Sequence, residues 1–85
     1  MDSAEIKSSV KAYILDEFLP GEDPDELADD TPLITGGVLD SLATLKLVSF
    51  LEETFNVAIE AHEVDTENLN TLDDIGALVM SKQGG

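Results

Sequence analysis

The chain has 85 residues, a formal net charge of −15 at pH 7 and no cysteine. Its length fits one small domain spanning residues 1–85, and the missing thiols exclude disulfide scaffolds, thiolate metal sites and cysteine nucleophiles. Nineteen acidic residues against four lysines would repel a phosphate backbone, so we expect no nucleic-acid partner. No apolar run approaches the ~20 residues of a membrane span, and the acidic N-terminus lacks the order of a secretion signal. We therefore expect a cytoplasmic monomer that does not insert into membranes.

The first half of the chain predicts a helix followed by a long connection. Asp2, with Glu5 three residues later, is a capping pattern for a helix over Ser3–Phe18. Its apolar residues recur at helical spacing: Ile6, Val10, Tyr13, Ile14 and Phe18. The loop over about 20–39 carries prolines, glycines and acids, and a short helical turn near Asp25–Ala28 is one interpretation. Connections of this length in a small domain are often functional.

A second helix is predicted from Asp40 or Ser41 to Phe55, and either of the first two residues can cap it. A core stripe is expected at Thr44, Leu47, Val48, Leu51 and Phe55. The opposite face carries Leu42, Leu45, Lys46, Ser49 and Glu53. Two leucines that point away from the core, next to the helix start, form a small apolar patch without an evident packing role.

The remaining segment predicts one short and one longer helix. Ala61–Asp65 is expected to form one or two helical turns, with His62 on the surface. A last helix over about Leu72–Met80 is capped by Thr71, and a flexible tail is expected over about 82–85. The fold class is therefore all-α: a bundle of three main helices plus one short helix.

The order of these elements resembles that of an acyl carrier protein, over nearly the whole chain. The residues that carry the resemblance are Gly37-Val38-Leu39-Asp40-Ser41-Leu42, Leu47-Val48, Leu51-Glu52-Glu53 and Phe55. The tripeptide Asp40-Ser41-Leu42 alone recurs by chance, whereas its position at a predicted helix start in an acidic chain of this length is specific. The resemblance implies a free-standing carrier protein rather than an enzyme, with no catalytic residues and no metal ligands.

The resemblance also implies a cofactor and partners. Ser41 would carry a 4′-phosphopantetheine arm that a separate phosphopantetheinyl transferase takes from coenzyme A, while Asp40 and Leu42 complete the motif. The thiol of the arm would hold an acyl or aminoacyl group as a thioester. A loading ligase and the downstream enzymes of fatty-acid, polyketide or aminoacyl-type biosynthesis would then be further partners.

The exposed face of the second helix is the expected docking surface, formed by Leu42, Leu45, Lys46, Ser49 and Glu53. Carriers of fatty-acid synthesis have acids at the positions of Ala43 and Lys46. Because Lys46 reverses a charge in the middle of this face, docking to the general fatty acid synthase is in question. The pattern Leu39–Thr44 is more similar to carriers loaded by an adenylating ligase, including D-alanyl carriers.

Other functions fit the sequence less well. The charge alone also permits a small acidic interaction module in which Asp40 and Ser41 are a plain helix cap and no covalent modification occurs. The C-terminal Gly84-Gly85 suggests a ubiquitin-like modifier. That fold needs alternating strands, whereas this chain shows helical spacing in three long segments. A small enzyme would need a base beside its nucleophile, and the one histidine, His62, lies far along the chain from Ser41.

Overall fold

Four α-helices and one 3₁₀ turn make up the computed structural model, which describes residues 2–23 and 27–84. The helices are α1 (Ser3–Phe18), α2 (Ser41–Phe55), α3 (Thr66–Leu69) and α4 (Leu72–Gly84), and the 3₁₀ turn is Ala61–Glu63. No strand occurs within the described ranges. The all-α prediction, with three main helices and a short one, is confirmed.

The core forms where α1, α2 and α4 meet, and its members are the residues that helical spacing predicts. Ile6, Val10 and Ile14 of α1 are fully buried, as is the α2 residue Leu47. Tyr13 and Phe18, also predicted in the α1 stripe, are partly buried and pack against the core. The other members of the predicted α2 stripe are buried, as are four apolar residues of α4: Thr44, Val48, Leu51 and Phe55, and Leu72, Ile75, Leu78 and Val79. The radius of gyration, 11.7 Å, is near the value of about 12 Å expected for a compact chain of this length.

The long connection between α1 and α2 is attached to the bundle by two buried leucines and by the hydrogen bonds of Asp29. Leu27 and Leu33 are buried in the core. Lys7 of α1 donates to Asp29 of the connection at 3.1 Å and to Asp73 of α4 at 3.0 Å, and the Asp73 backbone N–H donates to the Asp29 carbonyl at 3.1 Å. Of the turn predicted near Asp25–Ala28, residues 25 and 26 lie outside the described ranges.

Two predicted boundaries are wrong. The short helix lies at Thr66–Leu69 instead of Ala61–Asp65, where the chain forms only a 3₁₀ turn. The reason is capping: the Asp65 side chain accepts from the Asn68 N–H at 3.0 Å and starts α3 there. The last helix runs to Gly84 rather than Met80, and Lys82, predicted in the tail, pairs with Glu63 of the 3₁₀ turn at 2.5 Å.

Candidate functional site

Of the two adjacent residues that could cap α2, Asp40 and Ser41, it is Asp40 that does so. Its Oδ1 accepts from the Ala43 N–H at 2.8 Å. Its carbonyl accepts from the Thr44 N–H at 2.9 Å and from the Thr44 hydroxyl at 2.8 Å. Three hydrogen bonds therefore tie the first turn of α2 to Asp40, and Ser41 is left as the first residue of the helix.

Ser41 has an exposed side chain at this helix end. Within residues 2–23 and 27–84, its hydroxyl takes part in no hydrogen bond, because Asp40 supplies the cap. The backbone N–H groups at a helix N-terminus carry partial positive charge, which favours an anion bound there. The hydroxyl is thus accessible for chemistry and lies where a phosphodiester would be stabilised.

The approach to Ser41 is a tight turn that depends on two glycines. Gly36 lies so close to the carbonyl of Pro32 that a Cβ on residue 36 would clash with it, and Gly37 has a φ of +83°. Such a positive φ is strained for residues with a side chain. Leu39 N–H then donates to the Leu33 carbonyl at 2.9 Å, so the turn closes on itself just before α2 begins.

Asn70, between α3 and α4, holds this turn in place. Its Oδ1 accepts from the backbone N–H groups of Ile34 at 2.9 Å and Thr35 at 3.0 Å. Its own carbonyl accepts from the Leu33 N–H at 2.6 Å. The side chain of one residue therefore satisfies two N–H groups of a loop some 35 residues earlier in sequence, and it couples the start of α4 to the segment that leads to Ser41.

An open cleft of about 510 Å³ lies beside Ser41. Asp40, Ser41, Thr44 and Leu45 form one side of it, and Ile34 and Leu39 of the preceding turn contribute apolar surface. The opposite side is the segment 64–66, which links the 3₁₀ turn to α3. The cleft has the apolar lining with a few polar groups that is typical of a small-molecule site. His62 is exposed in the 3₁₀ turn and is not part of its lining.

The face of α2 that points away from the core lies next to Ser41, and its predicted members are exposed. Leu42 is 63% exposed and Leu45 57%, and Lys46, Ser49 and Glu53 are exposed as well. The two leucines face different sides, since Leu45 lines the cleft and Leu42 does not. The structure thus brings together Ser41 and the start of the predicted docking surface.

Tyr13 fixes this part of α2 against α1. Its ring stacks on Phe50 with centroids 4.1 Å apart, and its hydroxyl donates to the Lys46 carbonyl at 3.3 Å. Burial of the ring, together with the negative charges of Glu17 and Glu53, raises the pKa of Tyr13 above 10.0. The hydroxyl therefore stays protonated at neutral pH and keeps donating.

The described residues offer neither a metal-binding cluster nor a membrane-spanning helix. No group of three or more His, Asp or Glu side chains in residues 2–23 and 27–84 is arranged to hold a metal ion. In the same ranges, none of the helices has both the length and the apolar character needed to cross a membrane.

Comparison with known proteins identifies the family. Residues 17–79 match the family model described as "Phosphopantetheine attachment site". The chain is 34% identical to "Probable acyl carrier protein PigG" of Serratia sp. (strain ATCC 39006) over 94% of its own length and 97% of that protein. It is also 34% identical to the "D-alanyl carrier protein" of Streptococcus suis (strain 98HAH33), over 84% of this chain and 86% of the relative. The chain belongs to the acyl carrier protein family.

Membership of this family confirms the predicted class of function and its cofactor. The protein is a carrier that works with 4′-phosphopantetheine. A modifying transferase and biosynthetic enzymes are the partners that a carrier of this family requires. The alternative of an acidic interaction module without covalent modification is not supported, because the matched family model is that of an attachment site.

The sequence interpretation missed two parts of the site. One is Asn70, whose hydrogen bonds join distant parts of the chain and leave no local pattern in the sequence. The far side of the cleft also differs from the prediction, because Val64 and Asp65, predicted within the helical turns of Ala61–Asp65, lie between the 3₁₀ turn and α3. The pattern Asp65-Thr66-Glu67-Asn68 carries a helix cap that predicts α3 at its observed place.

Proposed function

We propose that Ser41 is the attachment residue and that the loaded arm presents an acyl or aminoacyl group to biosynthetic enzymes as a thioester. The observation that supports this most directly is the exposed Ser41 hydroxyl, without a hydrogen-bond partner in the described ranges, at the N-terminus of α2. A hydroxyl engaged in capping would have to leave its N–H partner before it could react. Here Asp40 performs the capping, so esterification of Ser41 costs the helix no hydrogen bond.

In the attachment reaction, Ser41 Oγ forms a bond to the phosphorus that carries the pantetheine of coenzyme A. The phosphoanhydride bond breaks, adenosine 3′,5′-bisphosphate leaves, and the proton of the serine passes to a base of the transferase. The arm brings a thiol, which the chain itself lacks. The resulting phosphodiester would lie at the positive end of the α2 dipole, and the open cleft beside Ser41 offers apolar surface to the arm.

The chain does no catalysis in this proposal. The transferase attaches the arm, a ligase loads it and downstream enzymes consume the cargo. The presence of D-alanyl carrier proteins among its relatives supports an aminoacyl group as one cargo to be tried. We propose the α2 face of Leu42, Leu45, Lys46, Ser49 and Glu53 as the surface these enzymes contact, because it is exposed beside Ser41. The cytoplasmic location and the monomeric state stay predictions.

Intact-mass analysis tests the attachment site. The purified apo protein is incubated with coenzyme A, Mg²⁺ and a broad-specificity phosphopantetheinyl transferase. We expect wild type to gain the mass of one arm and Ser41→Ala to gain none. The matched control is Ser8→Ala, which removes an exposed serine of α1 and should be modified like wild type. A wild-type protein that stays unmodified, or a Ser41→Ala variant that gains the arm, would contradict the proposal.

A further inference from the structure

A second hollow lies on the other side of the α2 N-terminus, where α2 meets the end of α1. It has a volume of about 170 Å³ and is lined by Phe18, Asp40, Leu42, Ala43 and Lys46. Asp40 lines both this hollow and the cleft beside Ser41, so the two depressions flank the same helix end. The two exposed leucines of α2 are divided between them: Leu45 lines the cleft and Leu42 lines the hollow.

The first three turns of α2 carry no acidic residue. Acidic residues concentrate in segments 16–30 and 52–74, whereas the α2 segment 41–51 contains no acid and one charged residue, Lys46. Lys7 and Lys82 are held in ion pairs with acids of other elements. Lys46 is exposed and forms no ion pair within residues 2–23 and 27–84. Its positive charge is therefore available to an incoming molecule.

The walls of the hollow are held by packing on two sides. The rings of Phe18 and Tyr13 form a T-shaped pair with centroids 5.7 Å apart, and Tyr13 in turn contacts α2 through Phe50 and the Lys46 carbonyl. Ala43 is buried on the α2 side. Because the backbone that presents Lys46 is fixed, a partner can bind this surface without first ordering it, which lowers the entropic cost of docking.

We propose that a partner enzyme of the carrier docks at the α1–α2 junction, placing an apolar side chain in the hollow of Phe18, Leu42 and Ala43 and an acidic side chain against Lys46. The inference rests on the proposed carrier function, because it names the chemistry of the partner that approaches Ser41. A wholly basic partner surface would meet Lys46 with like charge, which disfavours it.

The rim of the junction sets a second requirement for the partner. Glu17, which precedes Phe18 in α1, and Glu53, two turns after Lys46 in α2, are both exposed, and their negative charges contribute to the raised pKa of Tyr13. Basic groups of the partner would therefore be favoured around the edge and an acidic group at the centre. The −15 charge of the protein repels an acidic partner only weakly at long range, because charges are screened beyond about 8 Å at physiological salt. The basic groups at the edge of the partner would add attraction at short range.

A pair of synthetic peptides provides the probe. Both are helical, about 18 residues long, with one leucine and lysines at the rim positions. They differ only at a site one helical turn from the leucine, which is Glu in one peptide and Lys in the other. Binding to ¹⁵N-labelled apo protein is followed by amide shifts at about 0.15 M salt, where the Debye length is about 8 Å.

We expect wild type to bind the Glu peptide about two- to fivefold more tightly than the Lys peptide, the range of an exposed ion pair. Lys46→Glu should reverse this order. Leu42→Ala should weaken both peptides, whereas Met80→Ala, which truncates an exposed apolar residue of α4 outside the docking surface, should leave them unchanged. Lys11→Glu is the matched charge control on α1 and should keep the wild-type order.

Several outcomes would overturn the inference. They are tighter binding of the Lys peptide to both wild type and Lys46→Glu, an equal effect of Lys11→Glu and Lys46→Glu, a shift footprint outside the α1–α2 junction, or no binding of either peptide at millimolar concentration. The proposed function is judged on the same wild-type sample by arm attachment. If the protein accepts the arm at Ser41 but shows no peptide preference, only this inference is contradicted. If it shows the preference but never accepts the arm, the proposed function is contradicted.

Discussion

At the scale of single residues, Asn70 stabilises the segment that leads to Ser41 without contacting Ser41 itself. Its Oδ1 accepts from two backbone N–H groups, of Ile34 and Thr35, in the segment that precedes the glycine turn. A loop N–H without a partner is costly when it is shielded from water. The side chain therefore stabilises one conformation of the turn that leads to Asp40 and Ser41.

We expect Asn70→Ala to lower the free energy of unfolding by about 1–2 kcal/mol, the cost of leaving these N–H groups unpaired. Asn70→Asp should recover most of this loss, because a carboxylate still accepts both bonds. Urea unfolding gives the stabilities, and hydrogen exchange at Ile34 and Thr35 locates the effect. If Asp is no better than Ala, or if exchange accelerates equally throughout α1, acceptance by Asn70 is not what holds the turn.

The limits of sequence interpretation are also visible at this scale. Asp40 and Ser41 are both good capping residues, so their adjacency left the cap unassigned. Only the observed hydrogen bond to Ala43 assigns it to Asp40 and releases the Ser41 hydroxyl. The exposure of Leu42 and Leu45, by contrast, follows from helical spacing alone and is confirmed. The hydrogen bonds of Asn70 to residues 34 and 35 had no local pattern to predict them, since they join distant parts of the chain.

At the scale of elements, the C-terminal turns of α4 are tied to the 3₁₀ turn by one ion pair. Lys82 Nζ lies 2.5 Å from Glu63 Oε1, and the same oxygen accepts from the Glu60 N–H at 2.9 Å. The bond from Lys82, followed by that from the Glu60 N–H, lowers the pKa of Glu63 below its ordinary value of 4.5. The sequence predicts that α4 ends at Met80, whereas the helix continues to Gly84. Its additional residues include Lys82, which contacts the 3₁₀ turn.

The lowered pKa of Glu63 gives the pair a defined pH dependence. A carboxyl whose folded pKa lies below its unfolded value contributes stability above the unfolded pKa and loses it as pH falls through the folded pKa. We expect wild type to be more stable than Lys82→Met near neutral pH and this difference to shrink below about pH 4.5, as Glu63 becomes protonated. Urea midpoints measured at each pH provide the comparison.

The control for this experiment is Lys11→Met, which removes the same charge from a lysine that forms no ion pair in the described ranges. Its difference from wild type reports only the long-range effect of a lost positive charge. A Lys82→Met difference that follows the Lys11→Met difference at every pH would show that the Lys82–Glu63 contact adds nothing to stability.

The elements themselves were predictable to different degrees. The bounds of α1 and the extent of α2 follow from apolar spacing and strong end signals, and they agree with the structure. The short helix was misplaced because four residues are too few to show a period, so its position depends on the single cap at Asp65. The end of α4 was misplaced because tertiary contact, not local sequence, extends it.

At the scale of the whole molecule, charge opposes compactness. Nineteen acids face four lysines on a body of 35 × 25 × 20 Å. At low ionic strength the Debye length is about 30 Å, so charges repel one another across the whole domain. The described ion pairs engage Asp29, Glu63 and Asp73, and the acid-free segments 6–15 and 41–51 interrupt the negative charge along the chain.

Added salt acts on stability in two opposite ways. It screens the repulsion among the acids, which stabilises the fold, and it weakens the ion pairs of Lys7 and Lys82, which destabilises it. Exposed ion pairs contribute little each, whereas the repulsion is summed over the excess of negative charge. We therefore expect the melting temperature to rise between about 0.01 and 0.5 M NaCl, by about 4–8 °C for each 1 kcal/mol gained.

Thermal unfolding followed by circular dichroism, with sucrose as an uncharged co-solute for comparison, separates screening from general solute effects. Lys7→Met sharpens the test, because it removes the lysine that joins α1, the connection and α4. Without this ion-pair network, nothing at that junction opposes the gain from screening, so the salt-induced rise should be steeper than in wild type. A melting temperature that stays level or falls with salt in both proteins would mean that the few ion pairs, rather than the excess of acids, dominate the electrostatic free energy of this fold.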